Sequence, residues 1–500
     1  MDHGPRILSV PLEVLFQITS YLLTTDYGNF RRAIQQRLHG AFTQEFFTKK
    51  QFSLTDFSLA ALLSMSKSRL APCLKHVIIH LERPSSPFDI VPLGHPSAQP
   101  ECLFAREQEC VNHYAFSTSG RDIERLTEAL RNLPNLVTIG MRDFNSKNRS
   151  RDNTEWHSYG TPTSEKGLGW RWAKPRSHNK DDSLWVCHVF KAILQAVGDA
   201  VSSNSTPELT RVEVLLHQVC LPDSALMLPR DTPKVVLALS KLTTIFLDGL
   251  GGSGFRHNAQ LYPTRFLAAF LCEASNLEHL RLNFQMHEIK YVNKFLGWLA
   301  TPPDAVRPPP AAMPWTSPTG RTYHFQDLEP PFPDFPKLKS LELGMTSISA
   351  KMLLELCQKF KSTLRVLSLH KITLESSPRA KVNHWPRLLT KMANMPLDLE
   401  MVTLSYIEDR SFNRGNRDSQ NLAEIRFASS GSSKNDRIKK WRGTTFSQSI
   451  ADLTNDMTVV WRRNRDDGSG SIDSSHTDED SDDVEDEEID VDDDDEEMDG

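Results

Sequence analysis

Eight short apolar segments recur along the 500 residues, and they limit what this chain can fold into more than any other feature. They centre on Leu74, Val77 and Ile79; on Leu133, Leu136 and Ile139; on Leu209, Val212 and Val214; and on Leu242, Ile245 and Leu247. The later four centre on Leu277, Leu280 and Leu282; on Leu338, Leu341 and Leu343; on Leu364, Leu367 and Leu369; and on Leu399, Val402 and Leu404. Successive strand residues point to opposite faces, so aliphatics two apart share one face of a short strand. A helical pattern precedes most of them: 55–67, 121–132, 184–197, 234–239, 265–274 and 349–360, with a further helix at 289–300. Helix and strand in strict alternation predict an α/β protein with a parallel sheet.

The Leu-x-x-Leu-x-Leu form resembles irregular leucine-rich repeats, whose leucines face inward on a short parallel strand while a helix closes the core outside. Two of the spacings, Leu242 to Leu277 and Leu364 to Leu399, are 35 residues, beyond the usual repeat length, whereas Leu338 to Leu364 is 26. An ordinary parallel α/β sheet is the alternative. Segments at about 84–118, 145–182 and 302–336 fit no repeat and read as insertions. The first begins with a Pro/Ser-rich loop over 84–104, the second carries Trp156, Trp170 and Trp172, and the third holds Pro308-Pro309-Pro310. Residues 411–444 read as basic and loop-rich, and 446–463 as one last helix that caps the array.

The N-terminus has a different pattern. Ser9 and Pro11 suit a helix start, Glu13 favours its positive end, and Val14, Leu15, Ile18 and Leu22 recur at helical steps. A second short basic helix follows, carrying Phe30, Ile34 and Leu38. About 40 residues of short helices cannot bury that apolar surface alone, so a partner must cover part of it. Val10-Pro11-Leu12-Glu13-Val14-Leu15, then Ile18, Leu22, Asn29-Phe30-Arg31 and Arg37, resemble the F-box motif. The run from Val10 to about Gln51 is similar to F-box proteins of filamentous fungi, with Val10 replacing the usual Leu and Gln35-Gln36 departing from the common sequence. The resemblance implies docking to a Skp-family adaptor, and through it to cullin and RING subunits, with Val10, Pro11, Val14, Leu15, Ile18 and Leu22 as the adaptor contacts.

Hydrophobic residues make up 39% of the chain, and no apolar run approaches the roughly 20 residues of a membrane helix. The N-terminus lacks a signal-peptide core, which predicts a cytoplasmic or nuclear protein with no membrane partner. Seven scattered cysteines read as reduced thiols. The net charge of -6 conceals an asymmetry: Asp473 to Gly500 holds 18 acids and no Lys or Arg, leaving 46 acids against 58 bases elsewhere. A block of like charge repels itself, so 466–500 is expected to be a disordered acidic tail.

Chemistry-bearing motifs are sparse. Gly249-Leu250-Gly251-Gly252-Ser253-Gly254 formally matches a dinucleotide fingerprint, yet Phe255 to Pro263 intervene before any helix, so a turn after a strand is expected. Cys102, Cys110 and His113 have poor spacing for a metal and no fourth ligand. Cys187 and His188 are adjacent on a helix, where neighbours point apart. Trp170-Arg171-Trp172-Ala173-Lys174-Pro175-Arg176 interleaves cations and aromatics, which suits protein recognition or packing better than nucleic acid. No catalytic, metal or cofactor-binding residue is nominated.

These readings combine into four regions: a small all-α F-box domain at 6–50, a leucine-rich-repeat-like helix-strand solenoid at 51–410 with its insertions, a basic extension at 411–465 expected as a cap, and the tail. The function they imply is that of a non-catalytic substrate-recognition subunit of an SCF-type ubiquitin ligase, holding an unidentified target protein. A chromatin- or histone-binding protein working through its acidic tail is the alternative, as is an F-box scaffold acting outside ubiquitination.

Overall fold

The computed structural model describes residues 43–461, except 45, 85–99, 146–156, 162, 164–171, 173–179, 203–207, 229–231, 252–263, 286–288, 307–314, 317–321, 324–329, 377–382, 413–419, 428–435 and 444–445. The N-terminal motif, with Val10, Pro11, Val14, Leu15, Ile18 and Leu22, and the acidic segment 466–500 therefore lie outside the described residues. Residues 33–145 and 157–462 belong to one compact unit.

That unit is mixed α/β, built on a large and mostly parallel sheet. Strands β1 (Lys49–Ser53), β2 (His76–His80), β3 (Thr138–Arg142), β4 (Arg211–Leu215), β5 (Thr244–Leu250) and β6 (His279–Phe284) pair in chain order. A two-stranded hairpin, β7 (Trp315–Thr316) and β8 (Thr322–Tyr323), stands apart. The main sheet continues with β9 (Ser340–Ser349), β10 (Val366–Ser376) and β11 (Met401–Ser405). Each of these lies parallel to its neighbour.

Register converts the leucine pattern into two continuous apolar columns. Val77, Ile139, Val212, Ile245, Leu280, Leu341, Leu367 and Val402 stand side by side. Phe52, Ile79, Met141, Val214, Leu247, Leu282, Leu343, Leu369 and Leu404 form the second column, and no member of either is more than 2% exposed. The first leucine of each unit, such as Leu242, Leu277 or Leu364, is buried just before its strand. Parallel crossovers are almost always right-handed, so strands laid down in chain order place their connecting helices on one face.

The helices that close this core are α1 (Asp56–Ser66), α2 (Pro100–Thr118), α3 (Arg121–Arg131), α4 (Lys180–Val201), α5 (Pro233–Lys241), α6 (Arg265–Cys272), α7 (Ile289–Ala300), α8 (Ala350–Lys359) and α9 (Trp385–Ala393). Leu126, Val189, Leu239, Leu267, Leu296, Leu353 and Leu388 from seven of them share one core with the columns. Within α4, Asp182–Val201 is long and apolar enough to cross a membrane by length and composition, contrary to the expectation of no such run. Its apolar character has a local reason: 67% of that window is buried inside the protein, against the neighbouring helices.

Several expectations are corrected. The sheet begins one strand early, at Lys49-Lys50-Gln51-Phe52-Ser53, whose first two residues fall within the range 6–50 read as the N-terminal helical domain. Residues 100–104, read as the end of a loop in the first insertion, belong instead to α2 at Pro100–Thr118. Within 411–444, read as loop-rich, most of the described residues are strand: β12 (Glu408–Phe412), β13 (Gln420–Phe427) and β14 (Ile438–Arg442). The last helix, α10 (Phe446–Asn455), stops early, and Met457 to Trp461 form β15, as suits the β-branched Thr458, Val459 and Val460. Phe446, Ile450 and Leu453 of α10 are buried in the core.

The sheet forks at β10. Residues 366–370 pair with β11, which pairs in turn with antiparallel β14, while residues 373–376 pair with β12, followed by antiparallel β13 and β15. The fork coincides with a stack of left-handed residues, Met345, Lys371 and Tyr406, at φ 54°, 50° and 51°. Lys371 falls between the paired residues His370–Gly344 and Ile372–Thr346, so each strand bends at the same register.

Candidate functional site

The helices cover one face of the sheet; the residues between the apolar columns line the other. One row runs Glu213, Phe246, Arg281, Glu342, Ser368, Thr403 and Lys440. Rows on either side include Arg211, Thr244, His279 and Ser340, and Asp248, Asn283, Gly344 and His370. Against the aliphatic columns one residue away, this face is polar and charged.

At its centre, opposite charges pair both within a strand and across neighbouring strands. Arg211 Nε lies 2.6 Å from Glu213 Oε1, and His76 Nε2 lies 3.5 Å from Glu213 Oε2. Arg281 reaches Asp248 at 3.2 Å and Glu342 at 3.8 Å. The Phe246 ring sits between two guanidiniums, with Arg211 at 4.5 Å and Arg281 at 5.8 Å from its centroid. Cations over an aromatic face are held by its quadrupole, and the long stems remain available for further contact. Burial pushes the Asp248 carboxyl up to about 6, opposed by Arg281 and reinforced by Glu342 and Glu213. The array spreads its charges over several strands and does not converge on one reacting point.

Two carboxylates hold the loops that flank this face. Asp143, directly after β3, accepts from the backbone N–H groups of His217, Gln218 and Val219 at 2.9, 2.7 and 2.8 Å. His217 in turn stacks on Phe144 at 3.7 Å. Asp223 accepts from the N–H groups of Phe266 and Leu267, satisfying the first turn of α6 from outside the helix. Gly249 closes β5 with φ of 87°, and a Cβ there would lie 2.8 Å from the Leu216 carbonyl oxygen. The formal fingerprint thus has its first glycine in a strand-terminating bulge, while Gly252 to Gly254 lie outside the described residues.

The first edge of the sheet is covered by a piece of the second insertion. Tyr159 N donates to Gln51 O at 2.8 Å, Gln51 Nε2 donates to Ser158 Oγ at 3.2 Å, and Ser58 Oγ donates to Tyr159 O at 2.8 Å. Trp172 from the same insertion is buried, at 6% exposure, whereas Trp156, Trp170 and the neighbouring cations are outside the described residues.

The remaining sequence candidates do not converge. Cys110 and His113 share α2, and His113 packs edge-on to Trp185 at 5.1 Å, where burial drives its pKa down to about 4. His188 Nε2 meets Asp122 Oδ2 at 2.6 Å, while Cys187 lies beside Ser224, so the adjacent pair does point apart. Burial raises the Cys187 thiol. On the helix side a groove of about 790 Å³ opens beside Lys359. The Lys359 ammonium is committed to three carbonyls, those of Leu299, Thr301 and Pro333, at 2.8, 2.7 and 2.7 Å. Among the described residues, no group of three or more His, Cys, Asp or Glu side chains is placed to hold a metal ion.

Sequence reasoning nominated none of the open-face residues. The signal was present, because Arg211, Glu213, Phe246, Asp248, Arg281 and Glu342 are the alternate positions within the leucine pattern. No family model matches the chain, and no curated protein matches it in sequence.

Proposed function

We propose that this chain is a non-catalytic recognition subunit of an SCF-type ubiquitin ligase. One observation carries the reading: the helical spacing of Pro11, Val14, Leu15, Ile18 and Leu22 within a run that resembles an F-box. Those side chains, with Val10, are assigned to a groove on a Skp-family adaptor, where burial of one apolar helix face supplies the affinity. The strand order and one-sided helices of the described unit suit a leucine-rich-repeat-like array, with the charged open face as the seat of the target protein. The chain then contributes proximity: tethering raises the effective concentration of target lysines at the charged conjugating enzyme. The protein is assigned to the cytoplasm or nucleus.

Affinity capture of the full chain, compared with a Leu15→Asp/Ile18→Asp variant and read by mass spectrometry, tests this. Adaptor and cullin should accompany only the unmutated chain. Adaptor recovered equally with both, or with neither, would sink the proposal. A second reading draws on the 18 acids from Asp473 to Gly500, which suit a basic partner such as a histone. It is favoured if deletion of 473–500, and not the helix variant, removes the main partner. Capture of adaptor with no turnover of any bound protein favours a scaffold.

A further inference from the structure

Among the described residues, the basic strand at the end of the open face is paired on one edge only. β14 pairs with β11 on one side, and no strand lies on its other side among the described residues. Tyr406 N donates to Arg437 O, and Gly443 N donates to Glu400 O, which fixes the alternation of this antiparallel ladder. Arg437, Lys439, Trp441 and Gly443 therefore direct their backbone groups toward β11. Ile438, Lys440 and Arg442 direct theirs outward, away from β11.

The same three residues place their side chains on the open face, in register with Ser405, Thr403 and Met401, and all three are exposed. Trp441 points the other way and packs edge-on against Phe446 at 5.2 Å. Lys439 pairs with Asp456 at 2.7 Å, and Arg426 pairs with Glu424 and Asp436. Lys440 and Arg442 have no ion pair or side-chain hydrogen bond among the described residues. Burial and the adjacent Arg442 cation both lower the Lys440 pKa, with Glu342 opposing them. The three carboxylates farther along this face, Glu213, Asp248 and Glu342, already have arginine partners.

We infer that β14 is a strand-addition site for an extended, acidic segment of a partner protein. The incoming backbone pairs with the outward N–H and C=O groups of Ile438, Lys440 and Arg442, and its carboxylates at alternate positions meet Lys440 and Arg442. Main-chain pairing supplies affinity in this mode, while side chains two residues apart supply selectivity. An uncovered edge is normally blunted by charge or a covering loop; at this edge the charge also selects the sign of the partner. The inference is independent of adaptor docking through residues 8–47, so either can fail without the other.

The test uses the full chain and a fluorescent peptide alternating glutamate with valine, followed by anisotropy. The peptide should bind, a lysine/valine peptide should not, and Lys440→Glu/Arg442→Glu should weaken binding at least tenfold while adaptor capture is unchanged. A glutamate/valine peptide N-methylated at alternate backbone amides should lose binding in the one phase that faces β14 and keep it in the other. Equal binding by the charge-reversed chain, or by both N-methylated peptides, overturns the proposal. Binding that appears only after deletion of residues 473–500 assigns the edge to the chain's own acidic segment and overturns the assignment to a partner.

Discussion

Ile245 and Phe246 are neighbours in β5 and occupy opposite environments. Ile245 is fully buried between Val212 and Leu280 in the apolar column, where a one-residue slip in register would turn the whole set outward. Phe246 is half-buried on the open face, flanked by Arg211 and Arg281, in a row that also holds Glu213, Glu342 and Ser368. The inner face uses nearly one kind of chemistry, because packing sets the register there. The outer face uses many, because register is already fixed by the inner columns and packing does not dictate its side chains.

The largest test of this contrast compares truncations on the two faces. Leu280→Ala should cost about 3–5 kcal/mol through lost burial and a residual cavity. Phe246→Ala, which removes a half-exposed ring and two cation contacts, should cost about 1 kcal/mol. Urea unfolding midpoints measure both, and equal losses would break the distinction between faces. A smaller effect concerns Asp248. Its folded pKa, about 6, lies above that of an unfolded aspartate, so the folded chain holds the proton more tightly. The stability this gives is complete below about pH 4 and is lost as pH rises through about 6. Asp248→Asn should therefore gain on the parent between pH 4 and 7, by up to about 3 kcal/mol. A pH-independent difference in melting temperature would show that Arg281 fully compensates the carboxylate. The smallest effect sharpens the picture: Glu342→Gln, 3.8 Å from Arg281 and 31% exposed, should change stability by about 0.5 kcal/mol or less.

What could be read in the sequence follows the same division. All eight leucine-centred segments form strands or lead directly into them, since burial of alternate aliphatics forces both period and direction. Two of the strands that escaped notice carry few buried apolar side chains. Lys49-Lys50-Gln51-Phe52-Ser53 shows a single apolar residue, and Ile438-Lys439-Lys440-Trp441-Arg442 spends its alternate positions on solvent. Helix α2 was missed for a related reason: Phe104, Val111 and Tyr114 are 69%, 60% and 71% exposed, so its apolar residues do not mark a core face. The open face itself is made of the pattern's unspecified positions, and their meaning emerges only when register sets them side by side. The proposed adaptor contacts, Val10 to Leu22, rest on the motif alone.

The order of the strands has a consequence for how the chain acquires its structure. From β1 to β10 each strand of the main sheet rests against those just before and after it in the chain, so no strand must await a partner from the far terminus. The insertions between them lengthen the intervals, but the entropy of closing a loop rises only by about 0.6 kcal/mol for each doubling of its length. Assembly in such a chain can start at several neighbouring pairs and spread outward. Damage in one strand reaches the next two and then fades. Amide exchange should accordingly be slowest around β5, β6 and β9, and fastest at the ends of the sheet.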